Sequence, residues 1–358
     1  MTSHTSLLLA YHPAFLEHDT GPGHPEYPER IEAVMAALEA APWADRIIRL
    51  EAREATQAEV SLVHFPRYVE AMRRICEKGG EFLPRMEAAV GVESYPAALR
   101  AVGAGLTLAD AIITNYELRI TIKEGTPPPT PPASEGGKFE DGCNSRGGKI
   151  GFAPTRPPGH HATYDRPMGF CIFNNISILA KYLQTKHGIG KVAIVDFDVH
   201  HGNGTEEAFW KDPTVLYISI HTADAYPYNS GRREDSGEEA GRGFTLNVTL
   251  PPGTRDREYL AAFDRYVTPK LDEFAPEFLL VSAGFDAHYR DPLGKFKLSD
   301  NGYAGIAKRL KAVADKHCQG RIISLLEGGY DLPALASGVT AYLGALINTD
   351  TDTNTDTN

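Results

Sequence analysis

The stretch Lys191-Val-Ala-Ile-Val-Asp-Phe-Asp-Val-His-His-Gly-Asn-Gly-Thr205 decides how the rest of the chain is read. Val192 to Val195 is an apolar run rich in β-branched residues, the pattern of a fully buried strand. Asp196, Asp198, His200 and His201 follow at once. Side chains alternate along a strand, so Asp196, Asp198 and His200 are expected on one face and Phe197 and Val199 on the other. Gly202 and Gly204 let the backbone turn tightly into a helix near Glu206. A carboxylate and an imidazole two residues apart at a strand end make half of a zinc-type site. Such a site still needs a third ligand and an open position for water. The competing reading is a polar strand-to-helix turn with incidental ion pairs.

Outward from this stretch, apolar runs alternate with helical patterns. Strands are expected over Ser6 to Tyr11, Ile47 to Leu50, Lys149 to Pro154, Val192 to Phe197, Val215 to Ile220, Phe244 to Val248, Phe278 to Ser282 and Ile322 to Leu326. Helices are expected over Ile31 to Ala40, Pro66 to Lys78, Pro96 to Ile113, Asn174 to His187, Asp256 to Phe274, Asp300 to His317 and Leu332 to Ile347. Alternation of this kind predicts a single α/β domain over 1–347, with a central, mostly parallel sheet and helices on both faces. Ligands of such sheets bind at the carboxyl ends of the strands, where the polar clusters of this chain fall. A Pro/Gly-rich insert at about 123–149 reads as flexible, with linking or oligomerisation as its possible uses, and the Thr-Asp-Thr-Asn repeat of 348–358 reads as a low-complexity tail.

The 358 residues carry 36 Lys and Arg against 47 Asp and Glu, a net charge of −11. No basic run offers a footprint for nucleic acid, and none resembles a nuclear-import cluster. An acidic surface suits a cationic partner. Cys76, Cys143, Cys171 and Cys318 lie far apart without a CxxC pair, which suits a reducing compartment. Leu7-Leu8-Leu9-Ala10 is too short for a signal sequence, and no apolar run approaches the length of a membrane span. The expectation is an intracellular protein, cytoplasmic or nuclear, without a membrane partner.

Four further stretches carry chemistry-bearing residues. Arg156-Pro-Pro-Gly-His-His161 presents two imidazoles on a stiff loop, as readable structurally as functionally. Ser282-Ala-Gly-Phe-Asp-Ala-His288 puts Asp286 at a strand end, where it is a third ligand or a helix cap. Leu326-Glu-Gly-Gly-Tyr-Asp331 brings Tyr330 inward after two glycines, for chemistry or for packing. Pro167-Met-Gly-Phe-Cys171 adds an aromatic near the histidine pair. Jointly, two carboxylates and an imidazole can bind zinc or iron(II) and activate water. A neutral histidine can move its proton, and a tyrosine hydroxyl can stabilise an oxyanion. These are the parts of a metal-assisted amide hydrolysis.

RPPGHHA (156–162), GFCIFNN (169–175), DFDVHHGNGT (196–205), SAGFDAH..DPLG (282–294) and EGGYD (327–331) resemble the zinc-dependent histone deacetylase family over about residues 7 to 346. The wording is closest to its class II branch and to bacterial deacetylase-like and acetylpolyamine amidohydrolases. The resemblance implies the arginase–deacetylase fold and one catalytic zinc on Asp198, His200 and Asp286. It implies His161 as general base and acid, paired with Asn203 and expected to stay neutral beside that uncharged amide. His160 would stabilise charge, held by Asp196, and Tyr330 would polarise the scissile carbonyl. One or two structural potassium ions are implied, one on Asp196, Asp198, His200, Ser219 and Ile220, the second around Phe209, Asp212, Val215 and Phe244. Gly169, Phe170 and Tyr226 would wall an acyl-lysine tunnel, and Arg30 would line an internal channel.

Two departures bear on substrate. Leu293 stands where eukaryotic polyamine-preferring members carry a glutamate, whereas Ala225-Tyr-Pro-Tyr-Asn-Ser-Gly231 looks more like the acetylpolyamine enzymes. Three functions are therefore set side by side: a deacetylase of acetyl-lysine in proteins or peptides, an amidohydrolase of acetylpolyamines or other small acylated amines, and a non-catalytic scaffold. The complete ligand set, both histidines and Tyr330 count against the last.

Overall fold

In a computed structural model, described here for residues 5–79, 81–83, 88–123, 148–223 and 225–348, eight strands form one parallel sheet. The amino-terminal part supplies β1 (Leu7–Tyr11), α1 (Glu29–Ala40), β2 (Ile47–Glu51), α2 (Gln57–Val60) and α3 (Pro66–Glu77). A two-stranded antiparallel hairpin, β3 (Glu81–Leu83) with β4 (Ala88–Val90), precedes the long helix α4 (Ser94–Lys123). Then come β5 (Ile150–Ala153), α5 (Asn175–His187), β6 (Val192–Asp196), α6 (Asn203–Phe209), β7 (Val215–Thr222) and β8 (Thr245–Leu250). The chain closes with α7 (Asp256–Ala262), α8 (Thr268–Phe274), β9 (Phe278–Ala283), α9 (Asp300–His317), β10 (Ile322–Leu326) and α10 (Leu332–Ile347). The order across the sheet is β2-β1-β5-β10-β9-β6-β7-β8.

Period-two alternation splits each strand between two cores. Leu7, Leu9, Ala193 and Val195 pack on one face, with α1, α7, α9 and α10; Leu8, Ala10, Val192 and Ile194 pack on the other, with α3, α4 and α5. Both faces are covered, as an all-parallel sheet requires. The single-domain α/β expectation holds, with the sheet wholly parallel rather than mostly so. The 124–147 part of the Pro/Gly-rich insert and residues 349–358 lie outside the described residues.

Three features differ from the sequence reading. The hairpin β3–β4 has no counterpart in the sequence reading, its strands being too short for a periodic signal. The helix expected over Asp256 to Phe274 is broken by a π-turn at Phe263–Val267, just before Pro269, which lacks the N–H that a continuous ladder needs. Residues 94–114 of α4 do form an apolar stretch long enough to cross a membrane, but it is a mostly buried core helix, packed on α5, β1 and β5.

Candidate active site

Strands β5, β10, β9 and β6 are neighbours in the sheet, and their carboxyl ends deliver the four polar loops to one place. Residues 156–161 follow β5, residues 327–330 follow β10, Asp286 follows β9, and residues 198–200 follow β6. Strand β6 ends at Asp196, so the face alternation expected through His200 stops there. Beyond it, Asp196 Oδ1 accepts the backbone N–H of Asp198 at 3.1 Å, and Asp198 Oδ1 that of His200 at 2.9 Å. These two side-chain turns swing Asp198 and His200 away from the direction of Asp196.

Asp198, His200 and Asp286 converge, their ligand atoms all within 4.8 Å of one another. His200 Nδ1 lies 3.1 Å from Asp198 Oδ1 and 3.0 Å from Asp286 Oδ2. Each carboxylate is aimed by a backbone donor, Asp198 Oδ2 by Gly328 N–H and Asp286 Oδ1 by Val199 N–H, both at 2.9 Å. A β-carbon on Gly328 would collide with both carboxylates, so only glycine closes this side. Burial and the Asp198 charge push the Asp286 carboxyl up to about 7. Burial would lower the His200 imidazole, but hydrogen bonds to both carboxylates push it up to about 10. Two buried carboxylates around one imidazole can hold a cation between them, and the oxygen–oxygen–nitrogen donor set fits zinc or iron(II).

The histidine pair sits beside this cluster, with ring centroids 4.0 Å apart. His160 Nδ1 meets Asp196 Oδ2 at 2.9 Å, and Tyr217 donates to the same oxygen at 3.1 Å. Burial opposes a charge on His160, but Asp196, Asp198 and Glu327 outweigh it and push the ring up to about 10. His161 Nδ1 lies 2.9 Å from Asn203 Oδ1, an acceptor only, so Nδ1 carries the proton and Nε2 is free to act as a base. Burial first, then the charges of His160 and His200, holds His161 well below the usual imidazole range. The two rings are pushed in opposite directions, His160 toward its charged form and His161 toward its neutral one.

Tyr330 directly precedes the N-cap of α10, where Asp331 accepts from Ala334 N–H. Asp291 Oδ2 accepts the Tyr330 N–H at 2.7 Å, and its other oxygen holds the turn bearing Leu293. Buried Arg30 donates to the carbonyls of Gly329 and Glu327, each at 2.6 Å, and lies 5.0 Å from the Tyr330 ring centre. Burial raises the Tyr330 hydroxyl well above its usual range, so it is a permanent donor.

These groups open into a cleft of about 470 Å³ lined by Phe170, Tyr226, Leu293, Gly169, His24 and Tyr228 among others. Gly169 and Phe170 take left-handed φ values of 53° and 69°, which turns the Phe170 ring into the cleft, 6.0 Å from that of Tyr330. Tyr226 lines the same cleft, 5.1 Å from the His161 ring. Of the residues named for cation sites, Ser219 pairs with Asp196 across β6 and β7, and Ile220 follows it. Around the second set, Phe209 carbonyl accepts Asp212 N–H, Phe244 carbonyl accepts Tyr217 N–H, Val215 begins β7, and the Asp212 carboxylate is ion-paired to Lys181.

The sequence reading misses Glu327, Asp291, Tyr217, His24 and Tyr228 as parts of the site. Glu327 had a signal, a charge placed directly after a buried strand that is apolar but for Ser324. The others become neighbours only through the fold.

The histone deacetylase domain profile matches residues 24–346. The chain belongs to the histone deacetylase family. It is 35% identical over 336 residues to a chloroplastic histone deacetylase 10 of Oryza sativa, covering 90% of this chain and 70% of that protein. It is 36% identical over 326 residues to a probable deacetylase of Archaeoglobus fulgidus, covering 90% and 81%. Among solved structures, the HDA15 HD domain superposes with a TM-score of 0.81 at 32% identity, covering 97% of this chain and 89% of that one. The sheet is thus that of the arginase–deacetylase fold, and membership makes this histone deacetylase relative a hydrolase acting on amide bonds.

Proposed function

We propose that the protein removes acetyl or other short acyl groups from the ε-amine of lysine in a protein or peptide, with zinc as its metal. The observation that carries this reading is the meeting, in one cleft, of a neutral base, a tyrosine donor and a three-ligand cation cluster. Asp198, His200 and Asp286 would hold the zinc. When bound, it supplies Lewis-acid polarisation of the acyl carbonyl and brings the pKa of a water toward neutrality.

The chain's own groups do the rest. The lysine methylenes run between the rings of Phe170 and Tyr226, which exclude water from the amide. Tyr330 donates a hydrogen bond to the carbonyl oxygen, and that bond strengthens as the oxygen gains charge. His161 accepts the proton of the attacking water at Nε2, with Asn203 holding Nδ1, and returns it to the departing amine. His160, charged and held by Asp196, stabilises the negative charge that develops nearby.

Asp196, Asp198, Asp286 and Glu327 are all buried, a surplus of acidic groups over the two imidazoles, His160 and His200, beside them. That surplus supports a potassium ion on Asp196, Asp198, His200, Ser219 and Ile220. The set around Phe209, Asp212, Val215 and Phe244 is the weaker candidate, because Lys181 already neutralises Asp212. The free, buried thiols of Cys76, Cys171 and Cys318 support a reducing, intracellular location.

Leu293 is 40% exposed at the mouth, and apart from the ligands Asp198 and Asp286 at the floor no carboxylate lines the cleft among the described residues. This favours a peptide-borne lysine over an acetylpolyamine, whose free ammonium groups would want an acidic partner. The test compares the zinc-loaded protein on an acetyl-lysine peptide and on acetylated putrescine and spermidine, with a chelator control. Chelator-sensitive preference for the peptide is expected. Preference for the polyamines would replace the substrate assignment, and silence on all three would sink the reading.

A further inference from the structure

Residues 225–231 carry Tyr226, one wall of the cleft, and Tyr228 at its mouth. They are held by two buried imidazoles that the proposed chemistry does not use. His201 and His221 have ring centroids 4.8 Å apart and are 2% and 3% exposed.

The Ser230 hydroxyl donates its one proton to the Pro227 carbonyl at 2.7 Å. The 2.9 Å contact between His201 Nδ1 and Ser230 Oγ is therefore an N–H donated to the serine oxygen. A chain of donors thus runs from His201 through Ser230 to the residue after Tyr226. On the second ring, His221 Nε2 faces the Gly231 carbonyl at 3.0 Å, and a carbonyl only accepts, so Nε2 carries the proton. His221 Nδ1 then accepts the hydroxyl of Ser219 at 2.8 Å, in the body of the sheet. Gly231, at a left-handed φ of 66°, lies flat against both rings. A β-carbon there would come 2.5 Å from the His201 ring and 2.7 Å from His221 Nε2. The segment is seated on the imidazoles at one serine and one glycine.

We propose that His201 and His221 are positioning residues that act through Ser230 and Gly231 to fix the Tyr226 wall, and so set how tightly the acyl-lysine is held and which acyl groups fit. This rests on the amide-hydrolase reading above. Neither ring reaches the reacting atoms, so loosening the wall changes binding more than turnover.

The test uses the zinc-loaded full chain as wild type, Ser230→Ala, Ser230→Thr and Gly231→Ala, with two readouts. Hydrogen–deuterium exchange of residues 225–231 is expected to quicken in Ser230→Ala and Gly231→Ala and to return toward wild type in Ser230→Thr, which keeps the hydroxyl. KM for an acetyl-lysine peptide is expected to rise about fivefold in Ser230→Ala, the worth of one hydrogen bond, with kcat within about twofold and weaker discrimination between acetyl and butyryl groups. Unchanged exchange in both alanine variants overturns the proposal, as does a fall in kcat at constant KM. A wild-type protein silent on every acyl-lysine, with exchange still responding as expected, would sink the amide-hydrolase reading while upholding the seating of the segment.

Discussion

Glu327 Oε2 accepts the backbone N–H of Gly159 at 2.7 Å, joining positions 168 residues apart. The same oxygen takes the N–H of His160 at 3.2 Å, and Oε1 takes the hydroxyl of Ser282 at 2.9 Å. One carboxylate thereby ties the ends of β5, β9 and β10 and sets where the histidine pair stands.

Removing it should misplace that pair. Glu327→Ala leaves two buried N–H groups without acceptors, at about 1–3 kcal/mol each, and should lower both the thermal midpoint and kcat, the latter by about tenfold or more. Glu327→Gln can still accept with its carbonyl and donate to Ser282, so it should keep most activity. Equal loss in both variants would mean that the charge, and not the tether, is what matters.

Tyr330→Phe removes only a hydroxyl at the end of a well-packed ring. Turnover should fall by about 10²–10³, while metal content and thermal midpoint stay near wild type. Near-normal kcat would remove Tyr330 from the chemistry.

Asp286→Ala should abolish stoichiometric metal binding, measured by elemental analysis after dialysis. It deletes one of three ligands and leaves Val199 N–H without its acceptor. A full equivalent of zinc in the variant would mean that the third ligand lies elsewhere.

Much of this is visible before any coordinates. The motifs and the strands that carry them are legible because the buried strands are mostly apolar runs, two of which end abruptly in charge, as Val195 gives way to Asp196 and Leu326 to Glu327. What the sequence cannot display is the strand order. Nothing local says that residues 150–153 lie beside 322–326, and so nothing local pairs Gly159 with Glu327 or Arg30 with Gly329. The bend after Asp196 is hidden for another reason, since side-chain turns by Asp196 and Asp198 override the alternation that a strand would impose.

Acid should weaken the fold through histidines remote from the metal cluster. Burial holds His18 and His64 down to about 4; His64 Nε2 accepts Asn174 N–H at 2.8 Å. In the unfolded chain both titrate near 6.5. Between those values the unfolded state binds more protons, so the stability these rings contribute is complete above about pH 6.5 and is lost as pH falls toward 4. His64→Gln, which keeps an acceptor but cannot titrate, should flatten the dependence by up to roughly 1.4 kcal/mol per pH unit. An identical slope in wild type and variant, by chemical denaturation at pH 7.5, 6 and 5, would contradict this.

Leu293→Glu should shift preference toward acetylated spermidine over an acetyl-lysine peptide by about tenfold, about 1.4 kcal/mol, because it places a carboxylate at the mouth. No change in the ratio of kcat/KM values would show that the rim elsewhere governs selection.

The position of β10 bears on how the molecule comes into being. It is the last strand in the chain, yet it lies inside the sheet, between β5 and β9. Until residues 322–326 emerge from the ribosome, the earlier strands can form only two separate ribbons, β2-β1-β5 and β9-β6-β7-β8. The former carries the histidine pair and the latter the metal ligands. A product that stops before Ile322 would hold nearly every signature motif and still lack the strand that sets the histidine pair beside the metal ligands. The strand acts as a keystone, and the site is complete only once it is in place.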